Sequence, residues 1–140
     1  MTKFEWKQFY LYFAWIVSVI ATLGSLYFSE IRGFTPCELC WYQRILMYPL
    51  TIILGISAFN NDLIIKKYVL PLASIGWLIS LYHYLKQKVP GFADIKPCVN
   101  GVSCNNSYID WYGFITIPLL AFTAFTLIII IMLLIKIPKK

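Results

Sequence analysis

Charge is what this chain has least of. Asp, Glu, Lys and Arg make up 13% of its 140 residues, about half of the roughly 25% usual in soluble domains. Hydrophobic residues make up 60%, which excludes an ordinary soluble domain and points to an integral membrane protein. There is no internal repeat, no low-complexity tract and no polar stretch long enough to form a soluble domain of its own. The few charges are lopsided, with 12 Lys and Arg against 6 Asp and Glu for a net +6. In short flanks beside apolar runs, that excess reads as topology and as anchoring to anionic lipid, and nucleic-acid binding would be a poor use of it.

A hydrocarbon core of about 30 Å takes about 20 residues of helix. Four stretches reach or approach that length. The first, Phe9 to Phe28, carries no charge except at its borders. The second, Ile45 to Phe59, becomes long enough when Trp41 to Arg44 join its outer turn and Arg44 snorkels to the interface. The third runs from Tyr68 to Leu85, and the fourth, the most apolar, from Phe114 to Ile135. Spans at about 9–28, 41–59, 68–85 and 114–135 in a single domain over 1–140 predict an all-α membrane protein, a four-transmembrane-helix bundle. Lys3 and Lys7 before the first run imitate a signal peptide, but the run is too long for one and lacks a convincing cleavage site, so it is read as a retained span.

Counting Lys and Arg on alternate sides orients the bundle. One side has Lys3, Lys7, Lys66, Lys67, Lys136, Lys139 and Lys140, close to span ends; the other has Arg32, Arg44, Lys86, Lys88 and Lys96, spread over longer loops. The positive-inside rule then puts both termini in the cytoplasm. All four cysteines fall in the two outer loops, Cys37 and Cys40 in one and Cys98 and Cys104 in the other, in a compartment where disulfides persist.

The most informative stretch is Pro36-Cys37-Glu38-Leu39-Cys40-Trp41-Tyr42-Gln43-Arg44. A helix beginning near Pro36 places Cys37 and Cys40 one turn apart on one face at its N-terminus, so that the sulfurs can pair. Free N–H groups, the helix dipole and Arg44, four residues after Cys40, all favour a thiolate there, and Cys40 is the expected one. CxxC alone also serves zinc sites and thioredoxin-like domains. CxxC followed by Arg at the mouth of a membrane span is far narrower.

The remaining features carry two readings each. Ser18, Ala21, Thr22, Gly24 and Ser25 form either a small-residue packing seam or a ligand wall. Pro49 is either a tolerated kink or the start of a pocket. His83, between Tyr82 and Tyr84, is either an interfacial side chain with a hydrogen bond or a donor to a bound group. Cys98 and Cys104 bracket Val99-Asn100-Gly101-Val102-Ser103; a ring that short adds little stability, so the pair is read as reactive more than structural.

Two dithiol pairs outside one bundle suggest a relay, because thiolates pass electrons by attacking disulfides. The loop pair can meet a soluble protein. The CxxC pair can meet a lipid-soluble oxidant, for which a quinone is the natural choice at that depth. Arg44 then both lowers the pKa of Cys40 and hydrogen-bonds a quinone oxygen as charge develops on it.

The run from Cys37 to Arg44 on the second of four spans, with a Pro-Cys pair in the second outer loop, resembles the DsbB-type disulfide bond formation proteins. It is most similar to the BdbC branch of Gram-positive bacteria. The resemblance covers essentially the whole chain. It implies a multi-pass protein of the bacterial cell membrane, with extracytoplasmic cysteine loops. It would reoxidise a thioredoxin-like thiol oxidase of the BdbD or DsbA kind and pass the electrons to a membrane quinone, menaquinone before ubiquinone. By the same resemblance Cys37 and Cys40 match the quinone-facing pair, with Cys40 engaging the ring. Arg44 matches the quinone-site arginine, and His83, followed by Gln87, a neighbouring histidine. Cys98 would form the mixed disulfide and Cys104 would exchange with Cys37. The close spacing of Cys98 and Cys104 departs from the Gram-negative pattern. No metal is assigned. The competing readings are a metal-handling protein with four cysteine ligands, a scaffold whose disulfides brace loops, and a vitamin K epoxide reductase-like enzyme, whose CxxC belongs on a late span that lacks one here.

Overall fold

The structure, a computed structural model, describes residues 3–89, 91 and 116–137. Among the described residues all regular structure is helical. Helix α1 (Lys3–Leu26) runs into a five-residue π-helical turn (Tyr27–Ile31), followed by α2 (Glu38–Asn60), α3 (Lys66–Lys88) and α4 (Ile117–Leu134). All four helices are long and apolar enough to cross a membrane, so the expected four-helix membrane fold is borne out. The helices extend beyond the apolar runs at several ends, because charged flanks such as Lys66 and Lys88 continue the helical turn. Each helix packs against its chain neighbours and α4 closes on α1, which makes a four-membered ring.

Inside and outside are both apolar in such a bundle, so shape decides which face packs. Ile16, Ile20, Ile52, Ile56, Leu78 and Leu133 lie exposed on the lipid side. Leu11, Leu50, Leu54, Val69, Phe125, Ile128 and Met132 fill the centre. Gly76 lets α3 approach α4 so closely that a Cβ there would run into the Phe125 ring. Gly55 does the same for the Trp15 indole, 2.8 Å from where its Cβ would be. Polar pairs add specificity between helices: Trp77 Nε1 donates to Thr126 Oγ1 at 2.9 Å, and Thr22 and Thr51 share a hydrogen bond of 2.9 Å. Helix α2 passes through Pro49 without a break.

The two ends of the bundle differ. At the α2–α3 end, Asn61 takes a left-handed conformation with φ of 54° and its N–H caps Ser57 O. Lys66 Nζ donates to the Ile135 carbonyl at 2.6 Å, which ties the end of α4 to the start of α3. At the other end the chain leaves the π-helical turn through Gly33, whose φ of 68° a side chain would disfavour. Phe34 N donates to Phe28 O at 3.0 Å, and the two rings stack with centroids 6.1 Å apart. That reversal delivers Pro36 and Cys37 to the start of α2.

Candidate functional site: a dithiol beside an apolar cavity

Helix α2 begins at Glu38 with Cys37 as its N-cap, in extended conformation. The first helical hydrogen bond runs from Trp41 N to Cys37 O at 3.1 Å. Cys40 is therefore three residues into the helix, and its sulfur lies 3.1 Å from that of Cys37, a thiol hydrogen bond. Both cysteines are in the free form; Cys37 is buried and Cys40 half-buried.

His83 meets this pair from α3. Its side chain is only 1% exposed, because the face of α3 that carries it packs on α2. Its Nε2 lies 3.6 Å from Cys37 Sγ, and its Nδ1 lies 3.2 Å from the amide nitrogen of Gln43. With that amide donating to Nδ1, the ring proton sits on Nε2 and faces the Cys37 sulfur. Cys37 lies just before the spanning segment. The hydrogen bond to Cys40 holds its thiol well below the ordinary range, at about 4, with further help from His83 and against the opposing effect of burial. The sulfur facing the imidazole is thus Cys37.

Arg44 lies one helical turn beyond Cys40. Its Nη2 donates to the Ser25 carbonyl at 3.0 Å, and its guanidinium lies over the Trp41 ring, 5.6 Å from the centroid. The carbonyl belongs to the end of α1, just before the backbone widens into the π-helical turn. Arg44 therefore staples α1 to α2 and keeps its charge beside the cysteines without a direct bond to either sulfur.

These groups border one cavity of about 440 Å³, within the range of small-molecule sites. Its walls come from all four helices: Val17, Ile20, Ala21 and Gly24 of α1; Met47 and Tyr48 of α2; His83 and Gln87 of α3; Ile117, Ala121 and Ala124 of α4. Cys37, Cys40, Gln43 and Arg44 line the same space. The rest of the wall is mostly apolar, with a few Ser and Thr side chains, and the exposed Ile20, Leu120 and Leu127 set its rim between α1 and α4, towards lipid. Gly24 has nothing within 4 Å of where a Cβ would be, so this glycine deepens the cavity. The small-residue stripe of α1 thus divides: Ser18 and Thr22 form a seam with α2, with Thr51 Oγ1 donating to Ser18 O at 3.2 Å, while Ala21, Gly24 and Ser25 line the space.

Four of the six residues singled out in the sequence, Cys37, Cys40, Arg44 and His83, meet at this cavity. Cys98 and Cys104 lie outside the described residues. Gln43 was not singled out. Its signal was a buried amide in an apolar helix, within reach of the only histidine.

The family model described as disulfide bond formation protein DsbB matches residues 7–135. The chain is 68% identical to "Disulfide bond formation protein C" of Bacillus subtilis, over 91% of this chain and 92% of that one. It is 56% identical to "Probable disulfide formation protein C 1" of Bacillus anthracis, over 86% and 88%. A "Probable disulfide formation protein" of Coxiella burnetii is 52% identical, over 84% and 81%. No solved structure gives a significant match.

Proposed function

The chain belongs to the DsbB family of disulfide bond formation proteins, and on that premise we propose that it reoxidises a thioredoxin-like extracytoplasmic thiol oxidase and passes the electrons to a membrane quinone. The observation that carries the finer reading is the meeting of a dithiol, a buried histidine and an arginine on the wall of an apolar cavity that faces lipid. A quinone head group suits those walls: flat, apolar and bearing two carbonyl oxygens that need donors. Bound there, it would accept two electrons and two protons for each disulfide formed. Following the resemblance to Gram-positive members, menaquinone is proposed before ubiquinone.

The protein's own groups divide the work. A thiolate of the reduced partner attacks the disulfide of the Cys98–Cys104 pair, and the partner leaves oxidised once its second thiol resolves the mixed disulfide. Cys104 and Cys98 then exchange with the Cys37–Cys40 disulfide, which becomes the dithiol. Cys40, on the cavity wall, presents its sulfur to the bound ring. His83 holds its Nε2 proton at Cys37 Sγ, which favours the thiolate there, and Gln43 keeps that nitrogen aimed. Arg44 supplies fixed positive charge where negative charge develops on an oxygen, without reorganising in the reaction. In this reading both cysteine pairs lie on the extracytoplasmic side.

The test is a steady-state assay in lipid nanodiscs with a reduced thioredoxin-like oxidase and a menaquinone or ubiquinone analogue. One quinone reduced per partner disulfide formed is expected, with a partner variant that lacks its resolving cysteine retained as a mixed disulfide at Cys98 while Cys104 is released as the thiol. Partner oxidation that proceeds anaerobically without quinone loss would overturn the quinone assignment. Failure of every thioredoxin-like partner to react with a protein that, once chemically reduced, still reduces quinone would overturn the partner assignment.

A further inference from the structure

We propose that the reduced Cys37–Cys40 pair and His83 form a binding site for a thiophilic divalent cation, with Zn²⁺ as the model ion, and that the site exists only in the dithiol state. The sulfurs and the imidazole offer three ligand atoms that all lie within 4.8 Å of one another. The four-cysteine site weighed from the sequence drew on both loops. This one uses a different set, two residues at the start of α2 and one on α3.

The distances suit the ion. Zn–S bonds of about 2.3 Å and Zn–N bonds of about 2.0–2.1 Å at tetrahedral angles require S···N of about 3.6 Å and S···S of about 3.8 Å. Cys37 Sγ and His83 Nε2 are already 3.6 Å apart. The two sulfurs, at 3.1 Å, must part by about 0.7 Å to meet the S···S requirement, a small side-chain adjustment. A divalent ion would neutralise two thiolates that burial otherwise disfavours.

The outer shell is present too. Zinc-bound histidines hold their second nitrogen in a hydrogen bond, and Gln43 already lies 3.2 Å from His83 Nδ1. Turning the Gln43 amide over presents its oxygen to Nδ1–H and leaves the Nε2 lone pair free for the ion. Three protein ligands would leave a fourth position for water, as in zinc sites that keep an open position. Binding displaces the proton that the dithiol still carries, and no electrons move. Oxidation to the disulfide removes both thiolates and so abolishes the site. A bound ion would therefore hold the pair in its electron-loaded state, so that thiophilic metals stall it. This inference needs only the dithiol and His83, and is independent of the quinone reading.

The experiment uses the full chain in nanodiscs, with Cys98→Ser and Cys104→Ser so that only one thiol pair remains. The protein is reduced with a phosphine, freed of it, and titrated anaerobically with Co²⁺. One Co²⁺ per chain is expected, with a thiolate charge-transfer band and tetrahedral visible bands, displaced by Zn²⁺ and absent from the disulfide form. His83→Ala should weaken uptake by at least about tenfold and Gln43→Leu by about tenfold. His83→Cys should restore uptake with a stronger thiolate band, which keeps the test valid if His83→Ala misfolds. Absence of Co²⁺ uptake by the dithiol, or uptake that neither His83 variant alters, would overturn the proposal.

Discussion

The two ends of this bundle are made from the same helices and solve opposite problems. At the α2–α3 turn, Leu54, Ala58 and Val69 are fully buried, and Lys66 ties the Ile135 carbonyl at the end of α4 to α3. That end is closely packed and its helix ends are tied together. At the cysteine end, the helices stand apart around about 440 Å³ of space, and polar side chains hold one another at its edge. The contrast shows how a membrane bundle can keep a site open: one end supplies the packing that fixes helix positions, and the other is free to leave a gap. Two glycines express the difference. Gly76 allows contact with Phe125, whereas Gly24 faces empty space.

Breaking the open end at its sulfurs should have the largest effect. Cys37→Ser or Cys40→Ser should lower quinone-coupled turnover by about 10³-fold or more, as loss of a nucleophile does, while circular dichroism and thermal unfolding remain close to those of the parent. A smaller loss is expected at Arg44. Arg44→Ala should reduce the rate by about 10²-fold, within the range for loss of one preorganised donor. Arg44→Lys should recover little of it, because a point charge replaces neither the planar donor to Ser25 O nor the stacking on Trp41.

The glycines separate site from scaffold. Gly76→Ala overpacks the α3–α4 crossing against Phe125 and should cost about 1–3 kcal/mol of stability, read by thermal unfolding. Gly24→Leu should leave unfolding unchanged and raise the quinone KM by about tenfold by filling the cavity. The smallest expected change is in pH dependence. Cys37 is held at about 4, so its thiolate is present above that pH and is lost only as pH falls through it. Between pH 8 and 5.5, its intrinsic alkylation rate should change less than about twofold, where an ordinary thiol near 8.5 would slow by more than about 10²-fold. Mass spectrometry of limited alkylation reads this directly.

Much of this arrangement was legible in the sequence, for a physical reason. Membrane thickness turns hydropathy into four helices, and CxxC spacing with Arg44 marks a helix entrance. The lateral contacts were less legible. Nothing in one-dimensional order says that α3 turns His83 inward to Cys37, since both lipid and core accept apolar residues and the helix pattern gives no inside face. Arg44 reaching back to Ser25 depends on the π-helical turn and the Gly33 reversal, which are set by tertiary placement. Gly24 and Ser25 looked alike from composition with Ser18 and Thr22, and only the third dimension separates wall from seam.

The most direct test isolates the inner pair. The Cys98→Ser/Cys104→Ser protein, reduced, freed of reductant and held anaerobically in nanodiscs, is mixed with one equivalent of menaquinone analogue while quinone absorbance and free thiols are followed together. The account predicts one quinone reduced for every two thiols lost, with disulfide formation between Cys37 and Cys40. Quinone left untouched by an intact, folded dithiol would contradict it.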